Sequence, residues 1–299
     1  MSSNKKKSAR IMKQFPGWDA IDASDVTSQE IDAAWQAVQK KIQAPQPRRR
    51  PVWHTWMAVA AAAVIAIVSP LAAWRWASSR ENPVPRMCQV ATARGEVQEV
   101  ILPDGTKAVL NAESVLVYPE TFGSERSVFL SGEASFDVTS DEAHPFYVRT
   151  SSVTVKVHGT RFNVNAYFDE PAVRATLFRG VITVWPDGSE DRAVTLQPNQ
   201  YFSYEKETGA ITTAATNALE AVAWENGGLC FRSASVRSVI KTLERRFGVT
   251  ITLMTSRYDS AVITASFIHG ETLDDLMDAI CMIVPGMHYT RDGNKIELK

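Results

Sequence analysis

The first places to look for chemistry are one pair of carboxylates, the histidines and the three cysteines. Glu133 and Asp137 fall in RSVFLSGEASFDV, whose alternation predicts a strand, so the two share a face. Paired carboxylates serve acid–base catalysis only when another group positions a proton donor or acceptor against a substrate, and nothing nearby does so. His144, His158, His269 and His288 do not recur at metal-ligand spacings such as H-E-x-x-H, and no cysteine stands near them to complete a zinc set. Cys88, Cys230 and Cys281 are too few for a disulfide-built scaffold. Cys230 and Cys281 fall in one small predicted domain and could pair if it lies outside the cytoplasm; the alternative is two buried thiols. The expectation is therefore a non-enzyme, with no catalytic residues, no cofactor and no metal.

What these residues would be mounted on is organised around the stretch from Pro51 to Trp74, which contains no Asp, Glu, Lys or Arg. As a helix it reaches roughly 36 Å at about 1.5 Å per residue, enough to cross a hydrocarbon core of about 30 Å. Trp53 and Trp56 flank one end, Trp74 and Trp76 the other, where indole rings settle at a membrane interface. Arg48, Arg49 and Arg50 precede the stretch, whereas Arg75 and Arg80 follow it more sparsely. This asymmetry predicts one transmembrane helix over 51–76, with the N-terminus cytoplasmic and the remainder outside. A formal charge of −1 over 299 residues gives no global pull toward nucleic acid. A basic arm, Lys5 to Lys13, faces the cytoplasm in this topology.

Residues 1–50 are too short to bury a core of their own. Thr27-Ser28-Gln29-Glu30 has capping-box form. Ile31, Trp35, Val38 and Ile42 then recur at helical offsets, and Pro45 and Pro47 end the segment. Such a stripe needs covering, by Ile11, Met12, Phe15 and Trp18 upstream or by a partner into whose groove the helix is laid.

Beyond a linker over 77–87 the texture changes to period-two alternation, as in Val153, Val155 and Val157, punctuated by turns at Pro103-Asp104-Gly105 and Asp187-Gly188. An all-β domain over 88–212 is expected, a sandwich or a solenoid-like stack. Gly105, Gly132 and Gly159 fit turns needing positive φ. Val128, Leu130, Phe136, Val138, Phe146, Val148 and Phe162 fit a buried face. After a second linker over 213–226, residues 227–299 read as β-α-β, β-α-β. Val236, Val239 and Leu243 superpose on Leu273, Leu276 and Ile280 at a constant shift. Two βαβ units closing one small α+β core are expected, with an open edge strand that a partner could extend.

In order along the chain stand LPDGT (102–106), LNAES (110–114), YPETF (118–122), RSVFLSGEASFDV (126–138), HPFYV (144–148) and VHGTRFNVNAY (157–167). This series resembles the periplasmic domain of FecR-type proteins, the transmembrane anti-sigma factors and sigma regulators. The element order at the C-terminus is similar to their short secretin-and-TonB N-terminal type of domain. The resemblance implies an inner-membrane relay, in which a TonB-dependent outer-membrane transporter presents a signalling domain to the periplasmic region. The cytoplasmic segment, through Ile31, Trp35, Val38 and Ile42, then releases or activates an extracytoplasmic-function sigma factor. It also implies regulated cleavage in the membrane, for which Ser69-Pro70 is a candidate region because Pro removes a helix hydrogen bond; the alternative is an ordinary membrane-helix proline that neighbouring groups accommodate. FecR-type proteins carry a longer cytoplasmic region than the one present here. Two other classes remain open: a tethered module binding glycan or cell wall through Tyr118, Phe122, Tyr147 and Tyr167, and a membrane-bound enzyme.

Overall fold

The computed structural model describes residues 28–43, 69, 70, 75 and 86–299. The expected membrane span falls outside the described residues except for Ser69, Pro70 and Arg75, all helical and exposed. Among the described residues no helix is long and apolar enough to cross a membrane. The chain divides into two compact units, Met1–Arg80 and Glu81–Lys299. In the first, helix α1 (Ser28–Gln43) is present, as its apolar spacing predicts. Its expected cap Thr27 lies outside the described residues, as do Ile11, Met12, Phe15 and Trp18.

The second unit opens with thirteen strands. These are β1 (Met87–Ala91), β2 (Gln98–Ile101), β3 (Lys107–Leu110), β4 (Val115–Pro119), β5 (Arg126–Asp137), β6 (Phe146–Arg149) and β7 (Val153–Val157). There follow β8 (Arg161–Ala166), β9 (Ala172–Arg179), β10 (Ile182–Pro186), β11 (Val194–Leu196), β12 (Gln200–Glu205) and β13 (Ile211–Ala215). The long β5 belongs to two sheets. Its first half pairs with β4 and, in parallel, with β6. Its second half, from Gly132 in the pairing with β8, lies between β3 and β8. The first sheet runs β1-β4-β5-β6-β7-β10-β11 and the second β2-β3-β5-β8-β9-β12-β13.

Gly132 makes the crossing possible. Its φ is +112°, and a Cβ there would sit 2.6 Å from Ser114 Cα. The inner faces of the two sheets share one apolar cluster, so the domain is a sandwich. Phe136 and Phe162 of the second sheet stack at 5.3 Å, and Phe136 meets Phe146 of the first at 6.3 Å. All seven apolar side chains expected in this face, from Val128 to Phe162, are buried. Gly105 has the expected positive φ of +81°, but Gly159 does not. Its small size is needed because a Cβ would come within 2.7 Å of Ser140.

The segment read as a second linker is structured. It contains most of β13 and a 310 helix (Ala218–Asn226) capped by Asn217, whose side chain accepts a hydrogen bond from Leu219 N–H. The C-terminal domain then follows as β14 (Leu229–Ser235), α2 (Val236–Phe247), β15 (Thr250–Leu253), β16 (Val262–Phe267), α3 (Leu273–Ile283), β17 (Tyr289–Asp292) and β18 (Lys295–Leu298). Gly248 ends α2 in the left-handed region, and Thr272 with Asp275 forms a capping box on α3.

The repeat is present, but its halves are not self-contained βαβ units. Strand β14 pairs with β16 antiparallel and β15 with β18 in parallel, so both strands of the first half find partners in the second, where β17 also pairs with β18. A two-stranded sheet alone is too small to bury both helices. Pairing across the repeat puts Val239, Leu243, Leu276 and Ile280 into a single core.

Candidate functional site

Three of the sequence motifs meet at one place. Glu133 follows core-facing Leu130 and precedes core-facing Ala134 and Phe136, and at Gly132 the strand changes sheets. Its carboxylate emerges on the outer face of the second sheet, almost fully buried. Asn111 Nδ2 donates to its Oε2 and Asn163 Nδ2 to its Oε1, each at 2.8 Å. Burial pushes the carboxyl above the ordinary range, against the hydrogen bonds from Asn163, Asn111 and Asn165, which favour its charged form. Ser114 Oγ donates to Glu133 O at 3.1 Å and accepts from Glu133 N–H at 2.9 Å. Tyr167 Oη donates to Ala112 O at 2.6 Å. Asn111 comes from LNAES, Glu133 from SGEASF, and Asn163, Asn165 and Tyr167 from RFNVNAY. Of Asn111, Glu133, Asn163 and Asn165 the sequence singles out only Glu133, and it pairs it with Asp137. Distance along the chain hides their convergence, and polar residues inside alternating strands were the available signal.

The C-terminal domain is clamped beside this cluster by Arg245 of α2, which is 5% exposed. Its guanidinium contacts Glu170 at 3.0 Å, Asp169, and Glu113 at 3.9 Å, and it lies over the Tyr167 ring at 3.8 Å. Burial works against the charge. The hydrogen bond to Glu170 and the charges of Asp169 and Glu170 outweigh it, leaving the pKa raised. Ser238 Oγ donates to Glu170 Oε2 at 2.6 Å, and Gly95 N–H donates to Arg245 O at 2.8 Å. The receiving loop is held by Lys206, whose Nζ donates to the carbonyls of Tyr167, Phe168 and Glu170 at 2.6, 3.1 and 2.7 Å. Glu225 of the 310 helix accepts from Ser135 and faces Arg161 at 3.5 Å. A cleft of about 360 Å³ lies between the outer sheet face and β14.

Asp137 is not part of this cluster. It is exposed and paired with Arg179 at 3.1 Å, so the suspected carboxylate pair is not assembled. His144 is paired with Asp141, and among the described residues no group of His, Cys, Asp or Glu could hold a metal ion. The three cysteines are free; Cys230 faces Ser266 at 3.1 Å rather than Cys281. The four aromatics considered for a glycan groove do not form one. Tyr167 is buried, Tyr118 and Phe122 pack on the sandwich core, and Tyr147 is half-buried beneath Arg149 and Lys156. On α1, Trp35 is 64% exposed and Val38 45%. The side chains of Ile31 and Ile42 lie outside the described residues.

The FecR protein family matches residues 89–183, and the family described as FecR, C-terminal, matches residues 228–298. Two crystal structures of a “putative anti-sigma factor” from Parabacteroides distasonis ATCC 8503, at 2.50 and 1.65 Å resolution, are similar to this chain with TM-scores of 0.68 and 0.67. Each match is 32% identical and covers 71% of this chain and 98% of the other. Among curated protein sequences none matches. The chain belongs to the FecR family of anti-sigma regulators, a regulatory and non-enzymatic kind of protein.

Proposed function

We propose that this regulator is a single-pass inner-membrane protein whose N-terminal segment binds an extracytoplasmic-function sigma factor through α1. In this reading the span is 51–76 and the β and C-terminal domains are periplasmic, where they receive the signalling domain of a TonB-dependent outer-membrane transporter. The observation that carries the sigma-binding half is that Trp35 and Val38, the described members of the apolar stripe of α1, face solvent. An isolated helix of this length is marginal in water, and a partner's groove would supply the missing burial. The charge asymmetry around 51–74 and the family's architecture support the membrane arrangement.

Transmission requires that transporter and sigma factor each bind one state of the chain better than another. Regulated cleavage near Ser69-Pro70 is one such route, because Pro70 removes a helix hydrogen bond at its position. Two experiments test the reading. A periplasm-dependent reporter fused to Lys299 is active, and a cytosol-dependent one silent; the reverse overturns the topology. Affinity capture of the full chain recovers a sigma factor, and capture with none overturns the cytoplasmic half.

A further inference from the structure

We propose that the C-terminal domain is latched to the sandwich rather than fused with it, and swings off as a rigid body about Gly227-Gly228, with Arg245 as the latch. The closed contact is polar on both sides. Ser238, Thr242 and Arg245 recur along α2 at offsets of four and three, on the side of the helix turned away from Val236, Val239, Ile240 and Leu243. The apolar residues fill the domain's own core. On the polar side Ser238 and Arg245 bind Glu170 of the sandwich, and Ser238 and Thr242 line the cleft together with Glu133, Asn165, Arg174 and Glu205. Each domain keeps its own apolar cluster, and the two clusters have no member in common. Parting two polar faces forfeits little apolar burial, the main force that makes an interface between domains permanent.

The attachments fall on two sides of the glycine pair. Before it, the 310 helix is held on the sandwich through Glu225, which accepts from Ser135 and faces Arg161. Beyond it, the domain is held by Arg245 on Asp169, Glu170 and Glu113, by Ser238 on Glu170, and by the Gly95 N–H on Arg245 O. Gly227 adopts a φ of +81°, and neither glycine carries a side chain, so the pair absorbs a change in φ and ψ. Closure also works against Glu133, which lines the cleft and whose charged form burial disfavours.

Strand β14 pairs along one edge only, with β16, and every residue from Leu229 to Ser235 lines the cleft. The closed form therefore holds the second edge of β14 against the sandwich and withholds it from strand addition, and the open form bares it. Closed and open forms are two states of the kind that transmission requires. The inference needs neither the membrane topology nor the sigma partner, so its failure would leave the function proposed above standing.

The test uses the full chain in detergent micelles and two reporters of opening. One is hydrogen exchange at the Gly95 N–H, whose bond to Arg245 O exists only in the closed form. The other is alkylation of a Thr242→Cys thiol by a polyethylene-glycol maleimide, a reagent too large for a cleft of about 360 Å³. The Thr92 N–H, bonded to Ser114 O within the sandwich, and Cys281 of α3 are the controls. Glu170→Gln and Arg245→Met each take one partner from a buried ion pair, so each should speed both reporters at least about tenfold. The factor is common to the two, because groups freed by one opening share its free energy, and the controls keep their wild-type rates. A rise in one reporter alone means local loosening and overturns the proposal. So do unchanged reporters, or controls that rise with them, since the domains would then be unfolding rather than parting.

Discussion

Helices α1 and α2 are built from the same kind of sequence and meet opposite fates. In α2, Val236, Val239 and Leu243 are 1% exposed and Ile240 7%, all within the core of the C-terminal domain. In α1, the described members of an equally regular stripe, Trp35 and Val38, stand in solvent. Amphipathic spacing predicts a helix in both cases, because it is a local property. Whether the stripe is already covered is a property of the tertiary structure. A buried stripe stabilises its own fold, whereas an exposed one adds nothing to it until another surface covers it.

Substitutions at matched positions test this contrast. Leu243→Ala opens a cavity in a fully packed core and should lower stability by about 2–5 kcal/mol, read from urea unfolding. Arg245→Met removes the cation from a buried pair and leaves Glu170 with the Ser238 hydrogen bond and the charge of Lys206. The expected cost is about 3 kcal/mol, toward the low end for buried pairs because Asp169 and Glu113 still reach water. It should also separate the unfolding of the two domains into two transitions, where the wild type shows one. Thr272→Ala deletes half of a capping box and should cost about 1 kcal/mol, seen as a modest fall in the unfolding midpoint. Trp35→Ala should change stability by no more than about 0.5 kcal/mol, since the ring is exposed. A large loss there would mean that the α1 stripe is already buried.

Much of the architecture was legible because it is local. Strand alternation marks Val128 to Val138 as a strand, and the helical offsets of Val236, Val239 and Leu243 and of Leu273, Leu276 and Ile280 mark the two C-terminal helices. Three things were not. That β5 serves two sheets depends on Gly132 passing Ser114, a contact between residues distant in sequence. Pairing of β14 with β16 follows from where two helices can be buried together, which periodicity does not encode. The Glu133 cluster was missed for a further reason. Asn163 and Asn165 look like ordinary outward-facing strand residues, and Asn111 like a turn residue, until Glu133 is found among them. Arg245 likewise reads as a solvated arginine on the polar side of α2 until Asp169 and Glu170 are found opposite it.

The proposed docking of a sigma factor on α1 rests on Trp35 and Val38 facing solvent. Its most direct test is the affinity of the full chain for the sigma factor that co-purifies with it, compared with that of the Trp35→Ala variant. A central aromatic anchor lost from an interface should weaken binding at least about tenfold, with no change in the unfolding midpoint of the folded domains. Equal affinity of the two proteins would contradict the claim.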